Sequence, residues 1–239
     1  MLPFILIYVS CIVLPPFFWY LMVRRVEGRE PQAVKLAVIV FGLGIGAAVM
    51  AIWVNGFVSY LVDPVVVDSF DLFLFPDGEV SIWSSILAGP VEESLKLFLL
   101  YEVVYRRSEF KHIRHGVFYA LICALGFSFI ENSIYLINAA SEGDSYLTLT
   151  IGVVRAVGST MIHIGAGVMA GWFVGMSKWG TKPRMVYIFI GLLCAIVFHS
   201  LSNYLIVSTP FGIIIVTLMA MLIVYFVFRK VRIERLSEA

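Results

Sequence analysis

Eight side chains carry the chemistry this sequence could do: Glu92, Glu93 and Lys96, then Glu131 and Asn132, then His163, then His199 and Asn203. A carboxylate set in apolar surroundings can take a proton from water or return one. Imidazole and carboxamide groups can donate to a developing oxyanion. Carboxylates and imidazoles brought to one point are also a zinc-binding set. Glu92 and Glu93 are therefore the general-base candidates, with Glu131 as their partner. His199 and Asn203, one helical turn apart, are candidate oxyanion donors. His163 is placed to orient water or to protonate a leaving amine. Lys96 follows Glu92 by one turn and reads as a charge partner. Adjacent carboxylates on a helix cannot point the same way, so one of the pair should face the reaction and the other should meet Lys96 or backbone donors.

The segments around these residues are too apolar for a soluble fold. Of the 239 residues 61% are hydrophobic and 14% charged, where a soluble domain carries about 25% charged residues. The fold class expected is all-α, a polytopic membrane protein of about seven transmembrane helices, forming one integral-membrane domain over 1–239. The apolar stretches run over 2–23, 34–62, 81–105, 117–139, 147–177, 185–207 and 211–229, each near or above the roughly 20 residues that a span requires. The helices that carry the chemistry occupy about 81–207. The first stretch has no basic residue before its apolar run and reads as a retained helix, bent near Pro15 and Pro16.

Basic residues set the expected orientation. Fifteen of the 17 Lys and Arg fall in four clusters: Arg24, Arg25, Arg29 and Lys35; Arg106, Arg107, Lys111 and Arg114; Lys178, Lys182 and Arg184; Arg229, Lys230, Arg232 and Arg235. The connections between them, around 63–80, 140–146 and 208–210, hold none, and the first two are acidic. Positive-inside alternation then puts the N-terminus outside and the C-terminus in the cytoplasm. The acidic, Phe-rich 63–80 connection is expected on the outer surface, lying on the membrane or covering a cavity. The net charge of +1 gives no reason to expect nucleic acid. Cys11, Cys123 and Cys194 lie far apart in apolar runs, with no disulfide or metal spacing.

Counting from the basic flanks gives depth. Glu92 stands 14 residues before Arg106, His163 15 before Lys178, His199 15 after Arg184 and Glu131 17 after Arg114. At about 1.5 Å per residue all four lie roughly 20–25 Å from the cytoplasmic edge, in one layer. Ionisable groups at that depth are costly, so a chain that keeps several must satisfy them mutually or use them. Gly89 and Pro90 loosen the turn before Glu92 and free nearby carbonyl groups. In the fifth stretch Arg155, Ser159, His163, Gly167, Gly171 and Gly175 follow a four-residue repeat, whose glycines admit another helix closely.

Taken in order, Glu92-Glu93-x-x-Lys96, Phe127-x-x-x-Glu131-Asn132, His163-x-x-x-Gly167 and His199-x-x-x-Asn203 resemble the PrsW family of intramembrane proteases, over residues 89–203. More distantly they resemble the CAAX-prenyl protease and bacteriocin-immunity superfamily. That branch shows Glu-Glu-x-x-x-Arg and Phe-x-x-x-His, so Lys96 and Glu131 favour PrsW. The resemblance implies a multi-pass protease of the cell membrane. Its implied partners are the lipid bilayer and a single-span membrane protein substrate of the anti-sigma-factor type, cut toward the outer face. The family has been described both as metal-dependent and as glutamate-based. No His-Glu-x-x-His run decides between them, and the metal stays open. With zinc (Zn2+), Glu131, His163 and His199 would ligate, Glu93 is a candidate fourth ligand, and Glu92 or Glu93 would take the proton of water.

Blander readings stand beside these. Two glutamates and a lysine can be a structural ion pair, and a lone membrane histidine is more often a bond between helices than a ligand. Arg155 reads as structural, snorkelling outward or pairing with Glu131. His112 and His115 read as solvated loop residues. Two other functions compete with proteolysis: a proton- or ion-coupled transporter using the buried Glu, His and Lys as a relay, and a scaffold using polar helices as glue.

Overall fold

The computed structural model describes residues 2–27, 31–62 and 82–237. All long elements among them are helices: α1 (Leu2–Tyr8), α2 (Leu14–Glu27), α3 (Pro31–Val62), α4 (Ile82–Val104), α5 (Ile113–Ser141), α6 (Ser145–Val154), α7 (Thr160–Trp179), α8 (Arg184–Ser208) and α9 (Gly212–Ser237). Two π-helical turns, Val9–Val13 and Arg155–Ser159, join α1 to α2 and α6 to α7 into continuous rods. Six stretches are long and apolar enough to cross a membrane: Leu2–Arg25, Val34–Val62, Ile113–Ser141, Ser145–Trp179, Arg184–Ser208 and Gly212–Leu236. The seventh, α4, has the length but carries Glu92, Glu93 and Lys96 within its apolar run. The chain is a polytopic, all-helical membrane protein. The acidic 63–80 connection lies outside the described residues.

Five helices close a ring. α3 packs on α4 and α5, α5 on α7, α7 on α8, and α8 returns to α4. The α1–α2 rod lies outside against α5 and α6, and α9 lies outside against α7 and α8. Small residues make the ring tight. A Cβ on Gly44 would run into the carbonyl of Cys123, and one on Gly126 into that of Phe41, so the α3 and α5 backbones touch. The same holds for Gly116 of α5 against Gly171 and Gly175 of α7. In lipid, where apolar burial drives no association between helices, such close approach supplies the dispersion contact instead. α5 is the hub, and its residues Arg114 to Ser128 are buried without interruption.

The π turn at Arg155–Ser159 changes the register of the fifth span. In a regular helix Arg155 would stand about 80° around the axis from His163, whereas one extra residue in the turn brings it to within about 20°. The simple four-residue repeat therefore does not describe this span, since Arg155 reaches the His163 face through the wide turn. Thr160 Oγ1 donates to the Arg155 carbonyl there, at 3.2 Å. In the first span the irregular turn falls at Val9–Val13, one turn before the Pro15 and Pro16 where the bend was expected. The two prolines follow directly on that turn inside the continuous rod, and prolines and π turns are both recognised places for a helix to change course.

One loop expectation fails. His115 is 1% exposed, not solvated. Its Nδ1 donates to the Glu109 carbonyl at 2.7 Å, and its ring stands 5.2 Å from that of His112. It organises the turn that leads into α5.

Candidate active site

The ring encloses a layer of charge. Glu92 and Glu93 come from α4 one turn before Lys96, Glu131 from α5, His163 from α7 and His199 from α8. Glu92, Glu93, Lys96, His163 and His199 are each 6% exposed or less, while the Glu131 side chain keeps 24% of its surface. The imidazoles of His163 and His199 meet edge to face, with centroids 5.1 Å apart.

The two adjacent glutamates diverge. Glu93 Oε1 accepts from Lys96 Nζ at 2.6 Å and from His199 Nδ1 at 2.7 Å. Lys96 also donates to His163 Nδ1 at 3.0 Å and stands 4.1 Å over the Phe127 ring. An ammonium can only donate. His163 Nδ1 is therefore the acceptor, and its Nε2 carries the proton toward Glu131 Oε2 at 2.6 Å. Glu131 Oε1 in turn meets Arg155 Nη2 at 2.7 Å. A chain of alternating charge thus runs from Glu93 through Lys96 and His163 to Glu131 and Arg155.

Glu92 stands apart from that chain. Its Oε1 accepts one hydrogen bond, from Asn55 Nδ2 at 3.2 Å. Its Oε2 has no hydrogen-bond partner among the described residues and lies 3.7 Å from His199 Nε2. Because Glu93 holds the proton of His199 on Nδ1, the Nε2 lone pair of a neutral ring faces the free oxygen of Glu92. Two buried acceptors face to face repel unless a proton, a water or a cation stands between them. One ligand atom each from Glu92, His163 and His199 fall within 4.8 Å of one another. One carboxylate and two imidazoles are the ligand set of a class of catalytic zinc sites. Glu93 on the far nitrogen of His199 is the carboxylate that commonly orients a ligating imidazole. The residues present fit a divalent cation, on condition that His163 yields one of its two hydrogen bonds. This trio differs from the set expected from sequence, since it takes Glu92 and leaves Glu93 and Glu131 to their ion pairs.

A second polar cluster braces Glu131. Arg155 Nε donates to Asn132 Oδ1 at 2.8 Å and Arg155 Nη2 to Ser159 Oγ at 3.0 Å. The guanidinium also stacks 3.6 Å over the Tyr135 ring. Asn132 Nδ2 donates to Ser128 Oγ and Thr160 Oγ1, both at 3.0 Å. Asn132 thus lies behind Glu131, holding Arg155.

Asn203 is engaged elsewhere. Its Nδ2 donates to the Ser85 carbonyl at 2.9 Å, and Ser200 Oγ donates to the Ile86 carbonyl at 2.7 Å. Ile86 is the residue whose helical partner N–H is missing at Pro90. α8 therefore fills the hydrogen bond that the proline opens in α4. Asn55 was not singled out from sequence. Its signal was present: it is the only carboxamide in the apolar run 34–62.

The family described as "PrsW family intramembrane metalloprotease" matches residues 32–229. Proteins named Protease PrsW are similar to the chain. That of Clostridioides difficile (strain 630) is 27% identical over 163 residues, covering 67% of this chain and 65% of the relative. That of Halalkalibacterium halodurans is 28% identical over 143 residues, covering 54% and 61%. That of Shouchella clausii is 22% identical over 198 residues, covering 82% and 79%. The chain thus spans less than two thirds of the length of the first two. No solved structure matches it.

Proposed function

The chain belongs to the PrsW family of intramembrane metalloproteases, and from that premise we propose that it hydrolyses a peptide bond of a single-span membrane protein, with Glu92 as the group that handles the proton of water. The observation that carries this reading is the unequal treatment of the three carboxylates inside the ring. Glu93 is held by an ammonium and an imidazole, and Glu131 by a guanidinium and an imidazole. Glu92 keeps one oxygen free, opposite His199 Nε2. A general base needs a lone pair within reach of the water it deprotonates, and of the three Glu92 alone is bonded to no ammonium or guanidinium while a buried, unbonded oxygen of it faces the His199 ring.

The other groups then have roles that follow from their bonds. Glu93 holds His199 with Nε2 toward Glu92. The Arg155–Glu131 pair fixes the proton of His163 on Nε2, and Lys96 ties His163 to Glu93. Desolvation strengthens each of these interactions. The bond broken is the amide C–N: water adds its oxygen to the carbonyl carbon, its proton passes to Glu92, and the leaving nitrogen takes a proton back.

A second reading concerns zinc. Glu92, His163 and His199 would hold it, and when bound it would polarise the substrate carbonyl and acidify water. Its support is the 4.8 Å grouping of their ligand atoms and the family's description. Positive-inside charge supports an outer N-terminus and a cytoplasmic C-terminus, and the depth of Glu92, Glu131, His163 and His199, roughly 20–25 Å from the cytoplasmic edge, supports a cut toward the outer face of the cell membrane. Nothing in the relatives favours the transporter alternative.

The test is reconstitution. The purified chain in liposomes, given a panel of single-span reporter proteins, should release a shortened fragment from at least one, and Glu92→Gln should abolish that release. Undiminished cleavage by Glu92→Gln would remove Glu92 from its role. Metal analysis of the active preparation, with and without a chelator, separates the two chemistries: a stoichiometric metal whose removal stops cleavage supports the zinc reading, and activity without metal supports the glutamate one.

A further inference from the structure

α3 brings a single carboxamide to the site, and the sequence shows why it arrives there. Gly44, Ala48, Ala51 and Asn55 are spaced by four, three and four residues, eleven in all, which returns to within about 20° of the same helix face. Gly44 lies against the α5 backbone, and Ala48 and Ala51 are each 1% exposed. The stripe that seats α3 in the ring therefore ends with Asn55 at the level of Glu92.

Helix docking does not need that amide. α3 already packs on α4 through Ala47, Ala48 and Ala51 against Val91, Leu95 and Leu99. Asn55 Oδ1 is buried with no hydrogen-bond partner among the described residues. A half-satisfied carboxamide is a poor adhesive, because the unmet oxygen costs about what the other bond gains. What Asn55 does contact is Glu92 Oε1, at 3.2 Å. A carboxylate has two oxygens about one carbon, so pinning Oε1 toward α3 fixes where Oε2 points. Here that is toward His199 Nε2.

We propose that Asn55 is a positioning residue for Glu92: it holds one carboxylate oxygen to α3 so that the other is presented to the two histidines. The inference rests on the assignment of Glu92 in the preceding section. It also explains how a carboxylate with no cation hydrogen-bonded to it keeps one orientation inside the ring.

The experiment uses the full chain in liposomes and a single-span reporter that the wild type cleaves, with kcat, KM and the thermal unfolding midpoint measured for Asn55→Leu, Asn55→Gln and Glu92→Gln. Asn55→Leu should lower kcat roughly 10- to 100-fold, as loss of an orienting partner does. It should leave KM within about twofold and the midpoint unchanged or higher. Asn55→Gln, which keeps the N–H donor, should recover part of kcat. Wild-type kcat in Asn55→Leu overturns the proposal. So does a loss of kcat that follows a fall in the unfolding midpoint and is not eased by Gln, which marks a structural role. Glu92→Gln separates the two levels of inference. If it is inactive while Asn55→Leu is normal, only the role of Asn55 falls. If it cleaves like the wild type, the assignment of Glu92 falls and this inference with it.

Discussion

Two polar clusters share the interior of this membrane protein, and they are built to different rules. Around Arg155 the bonding is dense: Glu131, Asn132 and Ser159 take its Nε and Nη2, Tyr135 stacks beneath the guanidinium, and Ser128 and Thr160 accept from Asn132. Around Glu92 the bonding is unfinished. One oxygen has an amide, the other faces a histidine nitrogen at 3.7 Å, and the amide has a bare oxygen of its own. A fully satisfied network fixes geometry, while an unfinished one retains affinity for whatever enters. Glu131 and His163 couple the two, so the rigid cluster aims the unfinished one.

That contrast is broken most directly at Glu92. Glu92→Gln keeps the shape and removes the proposed base, and cleavage should fall by roughly a hundred- to ten-thousand-fold. The unfolding midpoint should hold or rise, because a buried, poorly partnered charge is gone. A large loss of stability instead would mean that Glu92 is as structural as its neighbour.

Lys96→Met should show the opposite balance. It leaves the Glu93 carboxylate 3% exposed and without its ammonium. Breaking one side of a buried pair costs about 3–5 kcal/mol. Adding Glu93→Gln to Lys96→Met should return part of that stability, a coupling that a double-mutant cycle in thermal unfolding would read directly. Additive losses would show that the two side chains do not act as a pair.

Arg155 tests how the clusters are coupled. Arg155→Met should lower kcat roughly 10- to 100-fold by freeing Glu131 and, through it, His163. Arg155→Lys should not restore it, because one ammonium cannot reach Glu131, Asn132 and Ser159 as the planar fork does. Full activity in the lysine variant would show that charge alone is needed and that the fork geometry is incidental.

Much of this arrangement was legible in the sequence, for reasons that residues supply. Apolar length gave the spanning helices, and counting from the basic flanks gave the common depth of Glu92, Glu131, His163 and His199. Helical geometry required the adjacent glutamates to diverge, but Lys96 stands one turn from either, at i+4 from Glu92 and i+3 from Glu93, and so did not mark which of them it pairs. Which glutamate stays open was not legible, because that depends on where α8 places the His199 ring, a tertiary fact. The π turn left no mark either, since Arg-Ala-Val-Gly-Ser would extend an ordinary helix equally well. Asn55 was visible as an isolated carboxamide, but its face matters only once Gly44 has seated α3 on α5. Pro90 announced a freed carbonyl without naming the hydroxyl that fills it.

Asn203 offers the smallest expected effect and the finest discrimination. From sequence its carboxamide is a candidate oxyanion donor beside His199. In the structure that donor is spent on the Ser85 carbonyl, next to the Ser200 bond to Ile86, so it braces the opened turn of α4 from which Glu92 projects. A single hydrogen bond between membrane helices is worth about 0.6 kcal/mol on average and about 1.7 at most. Asn203→Ala should therefore shift the unfolding midpoint slightly, and by a similar amount to Ser200→Ala. An oxyanion donor, by contrast, is worth roughly a hundred- to a thousandfold in kcat. Measuring kcat beside stability in both variants decides the role. Matched small losses place Asn203 with the bracing serine. A hundredfold fall in kcat confined to Asn203→Ala, with stability intact, would mean that its amide leaves Ser85 during turnover and joins the unfinished cluster.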